Sequence, residues 1–187
     1  RMQMLSRLRV AFSEERLFLV YQPFVNLASG RVVGAEALLR WRTDQGEFIP
    51  PDRFIPLAEQ SGLMVPIGDW LTRSALQFLM RLGTLGHSEF RMAINVSHAQ
   101  FREPDFVEKL VVAIADHGVN PANIEIELTE SVAIDNIDLI VQKLAAVRAA
   151  GITIAIDDFG TGYSSLNILR QLNVDRLKID RAFVSGE

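Results

Sequence analysis

Short apolar or alternating runs recur along this chain between longer runs of helical period, the pattern of parallel strands joined by helical crossovers. The short runs fall at residues 17–23, 31–39, 91–96, 124–128, 152–156 and 176–179. The helical ones fall at 51–60, 65–82, 104–117, 135–150 and 164–172, and Met2-Gln3-Met4-Leu5 already reads as helix. Backbone chemistry agrees with these limits: Gly118 and Gly151 stand where helices should end, and Pro104-Asp105 where one should begin. The first two strands differ from the rest. Asn26-Leu27-Ala28-Ser29-Gly30 is too short a link for a crossover and reads as a turn, so these two strands form an antiparallel hairpin.

The chain has 187 residues, 49% of them hydrophobic, enough for one well-buried core and too few for two ordinary domains. A formal net charge of -4 provides no basic field for duplex DNA or RNA. A small anionic ligand stays open, because a bound divalent ion can dominate a site whatever the total charge. With no Cys, thiolate metal sites, disulfides and cysteine nucleophiles are excluded, so any metal must sit on oxygen or imidazole. No apolar run approaches the roughly 18 residues of a membrane span. Nothing at the start resembles a cleaved leader, and a chain opening on Arg1 suggests that something preceded it.

The polar residues are more telling than the bulk. Glu36 falls in the second strand, Asn95 ends the third, Glu127 and Glu130 end the fourth, Asp157 and Asp158 end the fifth, and Lys178 and Asp180 end the sixth. In a (β/α) barrel the C-terminal edges of the strands share one rim, where side chains remote in sequence converge. Carboxylate and amide oxygens suit a hard divalent cation such as Mg²⁺ or Mn²⁺, and so many acids on one rim exceed what one ion needs. Without a compensating cation they would repel one another. Lys178, inside a strand between Leu177 and Ile179, would be costly to bury without an anionic partner. The loop from Asp157-Asp158 through Gly160 and Gly162 to Ser164-Ser165 permits tight turns and offers a cap for the next helix. By contrast His87, His98 and His117 show no ligand spacing, and Trp41 and Trp70 read as packing residues, although Trp41 adjoins Arg40.

In order along the chain stand Tyr21-Gln22-Pro23, Gly34-Ala35-Glu36-Ala37-Leu38-Leu39-Arg40-Trp41, Phe54-Ile55-Pro56-Leu57-Ala58-Glu59, Ile94-Asn95-Val96-Ser97, Glu127-Leu128-Thr129-Glu130-Ser131, the loop 157–166 and Leu177-Lys178-Ile179-Asp180. Together they resemble the EAL domain family of cyclic di-GMP phosphodiesterases. The resemblance implies a TIM-like (β/α) barrel with an antiparallel first strand, and hydrolysis of cyclic di-GMP to linear pGpG with two Mg²⁺ or Mn²⁺ ions. By matching positions, Glu36, Asn95, Glu127 and Asp157 would hold the first ion, and Asp157 and Asp158 would serve the second. Lys178 would hold the attacking water, and Glu130 would keep the loop after Asp157 in its working shape. Gln22, Leu38, Arg40 and Asp180 would touch substrate, the planar fork of Arg40 suiting a phosphate.

The same resemblance implies eight strands, of which this chain supplies about six. A later Ala-Glu-Gly-Val-Glu-like run and a final Gln-Gly do not occur, so residues 1–187 are expected to be an EAL domain lacking its C-terminal part. An exposed edge at 176–179 is a further expectation. Family membership also implies a homodimer, an upstream sensor or GGDEF domain, and a cytoplasmic site of action. The alternative is an incomplete module that binds cyclic di-GMP as a receptor or serves as a scaffold.

Overall fold

A computed structural model describes residues 2–134, 136–159 and 170–179, and for residues 133, 134, 158 and 159 the backbone alone. Helix α1 (Met2–Ser13) leads into strand β1 (Leu17–Val25), which pairs with β2 (Val32–Arg42) as the expected antiparallel hairpin. Parallel strands β4 (Arg91–Asn95), β5 (Ile124–Thr129), β6 (Thr153–Phe159) and β7 (Arg176–Ile179) continue the sheet in the order β1-β2-β4-β5-β6-β7. A short β3 (Phe48–Ile49) pairs with β2 off this path. The crossovers carry α2 (Pro51–Gln60), α3 (Met64–Thr84), α4 (His98–Arg102), α5 (Phe106–Asp116) and α6 (Ile137–Ala149). This is an incomplete TIM-like barrel, as the family resemblance implies, with the parallel strands and helical crossovers that the sequence rhythm predicts.

Local chemistry sets the helix limits. Pro51 occupies the first turn of α2, where a missing N–H costs nothing, and Gly62 follows that helix at φ 77°. Ser97 Oγ accepts from Gln100 N at 3.1 Å to start α4, and Asn136 Oδ1 accepts from Asp138 N to start α6. Gly118 and Gly151 follow α5 and α6 at φ 64° and 89°, a backbone conformation that glycine adopts without penalty.

Two elements escape the sequence reading. Strand β2 runs three residues beyond Leu39, because Arg40-Trp41-Arg42 continues its alternation and Trp41 is buried edge-on against Phe54. Its extension gives β3 something to pair with, across a turn eased by Gly46 at φ 83°. Helix α4 is a single capped turn, too short for periodicity to reveal. Helix α5 starts at Phe106, two residues after Pro104. The expected helix at 164–172 falls mostly outside the described residues.

The sheet has unlike faces. Outward-facing Ala35, Ala37, Leu39, Trp41, Met92, Ile94, Ile124, Ile126, Leu128, Ile154 and Ile156 are buried under the helices and form the core with Phe54, Ile67, Leu71 and Leu144. Fully burying side chains of this size contributes about 1.5–3 kcal/mol each. The opposite face is polar: alternation and register place Glu36, Arg40, Asn95, Glu125, Glu127, Thr129, Thr153, Asp157, Arg176 and Lys178 on it. Among the described residues β7 pairs with β6 alone and is largely exposed, as its edge position predicts. No helix among them is long and apolar enough to cross a membrane.

Candidate metal centre

The polar face converges on one cluster. Lys178 Nζ donates to Glu36 Oε1 at 2.8 Å and to Glu127 Oε1 at 2.5 Å, closing contacts 142 and 51 residues apart in sequence. In a flat sheet β7 and β2 would stand about 19 Å apart, four strand spacings, well beyond what a lysine and a glutamate can span together. The contact therefore requires the sheet to curl, and the cluster sits on the concave side. Glu36, Glu127 and Asp157 each offer a carboxylate oxygen within 4.8 Å of the others.

Glu127 lies at the bottom of this cluster, 1% exposed. One of its oxygens meets Lys178; Oε2 is buried with no hydrogen-bond partner among the described residues. A buried carboxylate oxygen without a donor is costly. A hard cation would satisfy it, and the all-oxygen donor set suits such an ion. On these two observations the residues fit a divalent metal.

Electrostatics divides the acids. Burial pushes the Glu127 carboxyl up to about 8, with the adjacent Glu36 adding to the rise against the pull of Lys178. Burial also works on Glu36, but hydrogen bonds with Glu127 and Lys178 and the charges of Lys178 and Arg40 bring it below its ordinary value. Lys178 is raised: burial opposes its charge, and the hydrogen bonds and charges of the two acids outweigh that. Because the folded pKa of Glu127 lies above its ordinary 4.5, this group's contribution to stability is full below about 4.5 and is lost as pH rises through about 8. Without added divalent ions, the melting temperature should fall between pH 5 and pH 9, and Glu127→Gln should flatten that fall. Thermal melts across this range check it; an unchanged slope in the variant would assign the dependence elsewhere.

The remaining predicted residues take definite places. Asn95 stands opposite Glu127 in the β4–β5 register, and Gln22 opposite Glu36 in the β1–β2 register. Leu38 and Arg40 follow Glu36 on its face, with Arg40 Nη1 donating to the Leu39 carbonyl at 2.9 Å. Glu130 is buried where a short 3₁₀ turn (Glu130–Ile134) leaves β5. Glu36 departs from the expected rim position: β2 continues to Arg42, so Glu36 lies mid-strand beside Ala93, two residues below Asn95. Trp41 is on the opposite, buried face, away from the cluster. Asp180 and the loop glycines lie outside the described residues, as does the side chain of Asp158.

At Asp157-Asp158 the β6–β7 ladder slips. Ile156 pairs with Leu177 and Phe159 with Ile179, so two residues of β6 face Lys178 alone. This has the count of a β-bulge, which interrupts the strict alternation of faces and is common beside active sites.

Sequence reasoning missed a second layer beneath the cluster. Glu125 is buried and pairs with Arg176 at 3.6 Å, and Thr153 Oγ1 donates to the Ile124 carbonyl at 3.1 Å. The signal was present in Ile124-Glu125-Ile126-Glu127-Leu128, where glutamate alternates with buried aliphatics and must face the concave side.

Comparison with known proteins places the chain in a family. The EAL domain family matches residues 5–187. The bifunctional diguanylate cyclase/cyclic di-GMP phosphodiesterase MucR of Pseudomonas aeruginosa is 40% identical over 184 residues, which cover 98% of this chain and 27% of MucR. The cyclic di-GMP phosphodiesterase NbdA of the same organism is 40% identical over 183 residues, covering 98% of this chain and 23% of NbdA. Among solved structures, the PaMucR phosphodiesterase in its c-di-GMP complex matches with a TM-score of 0.91 at 40% identity, over 98% of this chain and 74% of that one. The chain spans about a quarter of the length of these curated relatives. With the family matched from residue 5 to residue 187 and a barrel of the same shape, this chain belongs to the EAL domain family.

Proposed function

We propose that this chain is the greater part of a metal-dependent phosphodiesterase domain that hydrolyses cyclic di-GMP to linear pGpG. The observation that carries this reading is the concave cluster in which carboxylate oxygens of Glu36, Glu127 and Asp157 converge, Lys178 holds the first two, and Glu127 Oε2 has no donor among the described residues. The relatives named for cyclic di-GMP phosphodiesterase activity support the substrate.

In this reading Glu36, Asn95, Glu127 and Asp157 would hold one Mg²⁺ or Mn²⁺ ion, and Asp157 with Asp158 would serve a second. Bound there, divalent ions would supply Lewis acidity and would bring the pKa of an attacking water toward neutrality. Lys178 holds that water by hydrogen bond and adds positive charge where the phosphodiester gains negative charge. Arg40, on the face of Glu36, donates to a non-bridging phosphate oxygen, while Gln22, Leu38 and Asp180 border the nucleotide. Glu130, buried where β5 ends, holds the loop after Asp157 in place. The slipped register at Asp157-Asp158 is consistent with neighbouring acids serving one site, since alternation is interrupted there.

The proposal extends to residues 1–187 as a domain lacking its last strands, to a homodimer, and to an upstream sensor or GGDEF domain, in keeping with the much longer relatives. A cytoplasmic location goes with a nucleotide messenger as substrate.

The test is hydrolysis of cyclic di-GMP by the protein containing this domain, with Mn²⁺ and with excess EDTA. Formation of pGpG should require the ion and should fall to background in Glu36→Ala. Turnover equal in wild type and Glu36→Ala would sink the proposal. Saturable binding without pGpG would favour a receptor instead.

A further inference from the structure

Lys178 does for the acids what a metal ion would do. Its ammonium lies 2.8 Å from Glu36 Oε1 and 2.5 Å from Glu127 Oε1, between two of the three carboxylates that converge on the concave face. Divalent ions take carboxylate oxygens at about 2.0–2.6 Å. Nζ already holds one oxygen of Glu36 and one of Glu127, so an ion drawing on both acids would stand beside the ammonium, and two cations held that close repel strongly.

We propose that Lys178 is a built-in occupant of the cation position, and that metal binding is an exchange in which Nζ withdraws from Glu36 and Glu127 as the ion takes their oxygens. Rested on the reading of this cluster as a metal site, the inference adds that the site is preassembled around a tethered cation and that metal affinity is set by competition with it. Glu127 Oε2 is the natural point of entry, because it is buried, has no donor among the described residues, and is not used by Lys178.

Side-chain chemistry and strand pairing both favour exchange. A lysine stem is flexible and its ammonium is a compact charge, so it can retract without rebuilding a planar fork as arginine would. The side chain of Lys178 is 33% exposed, which leaves it a solvated direction in which to withdraw. Pairing on either side of it, Ile156 with Leu177 and Phe159 with Ile179, anchors β7 so that the side chain can move while the strand stays. The ordering also has a purpose: without an internal cation, Glu36 and Glu127 would face each other unscreened whenever the ion was absent.

The experiment is Mn²⁺ titration by calorimetry, with electron paramagnetic resonance of the free ion as a second readout, on wild type, Lys178→Met and Glu127→Gln at one fixed pH. Lys178→Met should bind Mn²⁺ about tenfold or more tighter than wild type, because the ion no longer displaces charge-assisted hydrogen bonds. Glu127→Gln should lose most of the binding. Unchanged or weaker Mn²⁺ binding in Lys178→Met, with Glu127→Gln still impaired, would overturn the exchange and leave the metal site standing. Equal binding in wild type and Glu127→Gln would instead overturn the metal-site reading itself. Should Lys178→Met fail to fold, Lys178→Gln removes the charge and keeps a hydrogen-bond donor; it should show the same tightening, and a larger rise in melting temperature at saturating Mn²⁺ than wild type shows.

Discussion

Glu127→Gln should abolish turnover and at the same time stabilise the metal-free protein in mildly alkaline solution. The two effects share one cause. Glu127 is buried beside Glu36, and its ionised form is so disfavoured that the carboxyl titrates near 8. Glutamine has nearly the same shape, carries no charge, and can still accept from Lys178. At pH 8.5 the variant avoids the cost of an ionised buried acid, and its melting temperature should rise by about 3 °C or more. Catalysis should move the other way. A neutral amide is a poor ligand for a hard ion, and loss of the charge stabilisation that ion provides should lower kcat by about 10³-fold. Melting curves and cyclic di-GMP hydrolysis on the same preparation check both halves. A destabilised variant with normal turnover would show that Glu127 is a structural residue and that the site lies elsewhere.

Gly34→Ala should be the most damaging single-methyl change among the described glycines of the sheet. Gly34 begins the parallel pairing of β2 with β4 opposite Arg91. A Cβ there would lie 2.5 Å from the Arg91 carbonyl oxygen and would run into the ring of Phe24. The ring can rotate away; the carbonyl belongs to the strand beside it and cannot. The expected cost is about 3 kcal/mol, with a fall in melting temperature of about 6 °C or more. Gly68→Ala in α3 is the informative control. Its Cβ would meet the end of the buried Gln100 side chain, 2.5 Å from Cδ, which has rotatable bonds that a strand carbonyl lacks, and alanine gains about 1 kcal/mol of helix propensity. Gly68→Ala should therefore cost less than about 1.5 kcal/mol. Equal losses at the two positions would mean that strand spacing at Arg91 is not what decides.

Much of this was legible in the sequence because the barrel's two periods are loud. Parallel strands covered by helices are largely apolar, so Glu127 among aliphatics, or Lys178 between Leu177 and Ile179, stands out against what a buried strand should contain. Helix limits were legible where a glycine or proline forces them. The depth of Glu36 was not. It depends on how far β2 continues, which is decided by burial of Trp41 against Phe54, a contact between side chains 13 positions apart. Nor was the Glu125–Arg176 pair below the cluster, because ion pairing between β5 and β7 exists only once β6 stands between them in register. The meeting of Lys178 with Glu36 is of the same kind: the motifs name both residues, and only curvature brings them together.

That curvature has a temporal side. The cluster ties the second strand of the sheet to the seventh, so its cation can arrive only after β4, β5 and β6 have been laid down between them. Contacts this remote in sequence are among the last to be rewarded in folding, since the intervening loops must close first. Until β7 docks, Glu36 and Glu127 approach each other with no lysine to screen them, which opposes early collapse of the concave face. Docking of β7 would then act as a latch, converting mutual repulsion among the acids into attraction and making the arrival of a single lysine the step that completes the site.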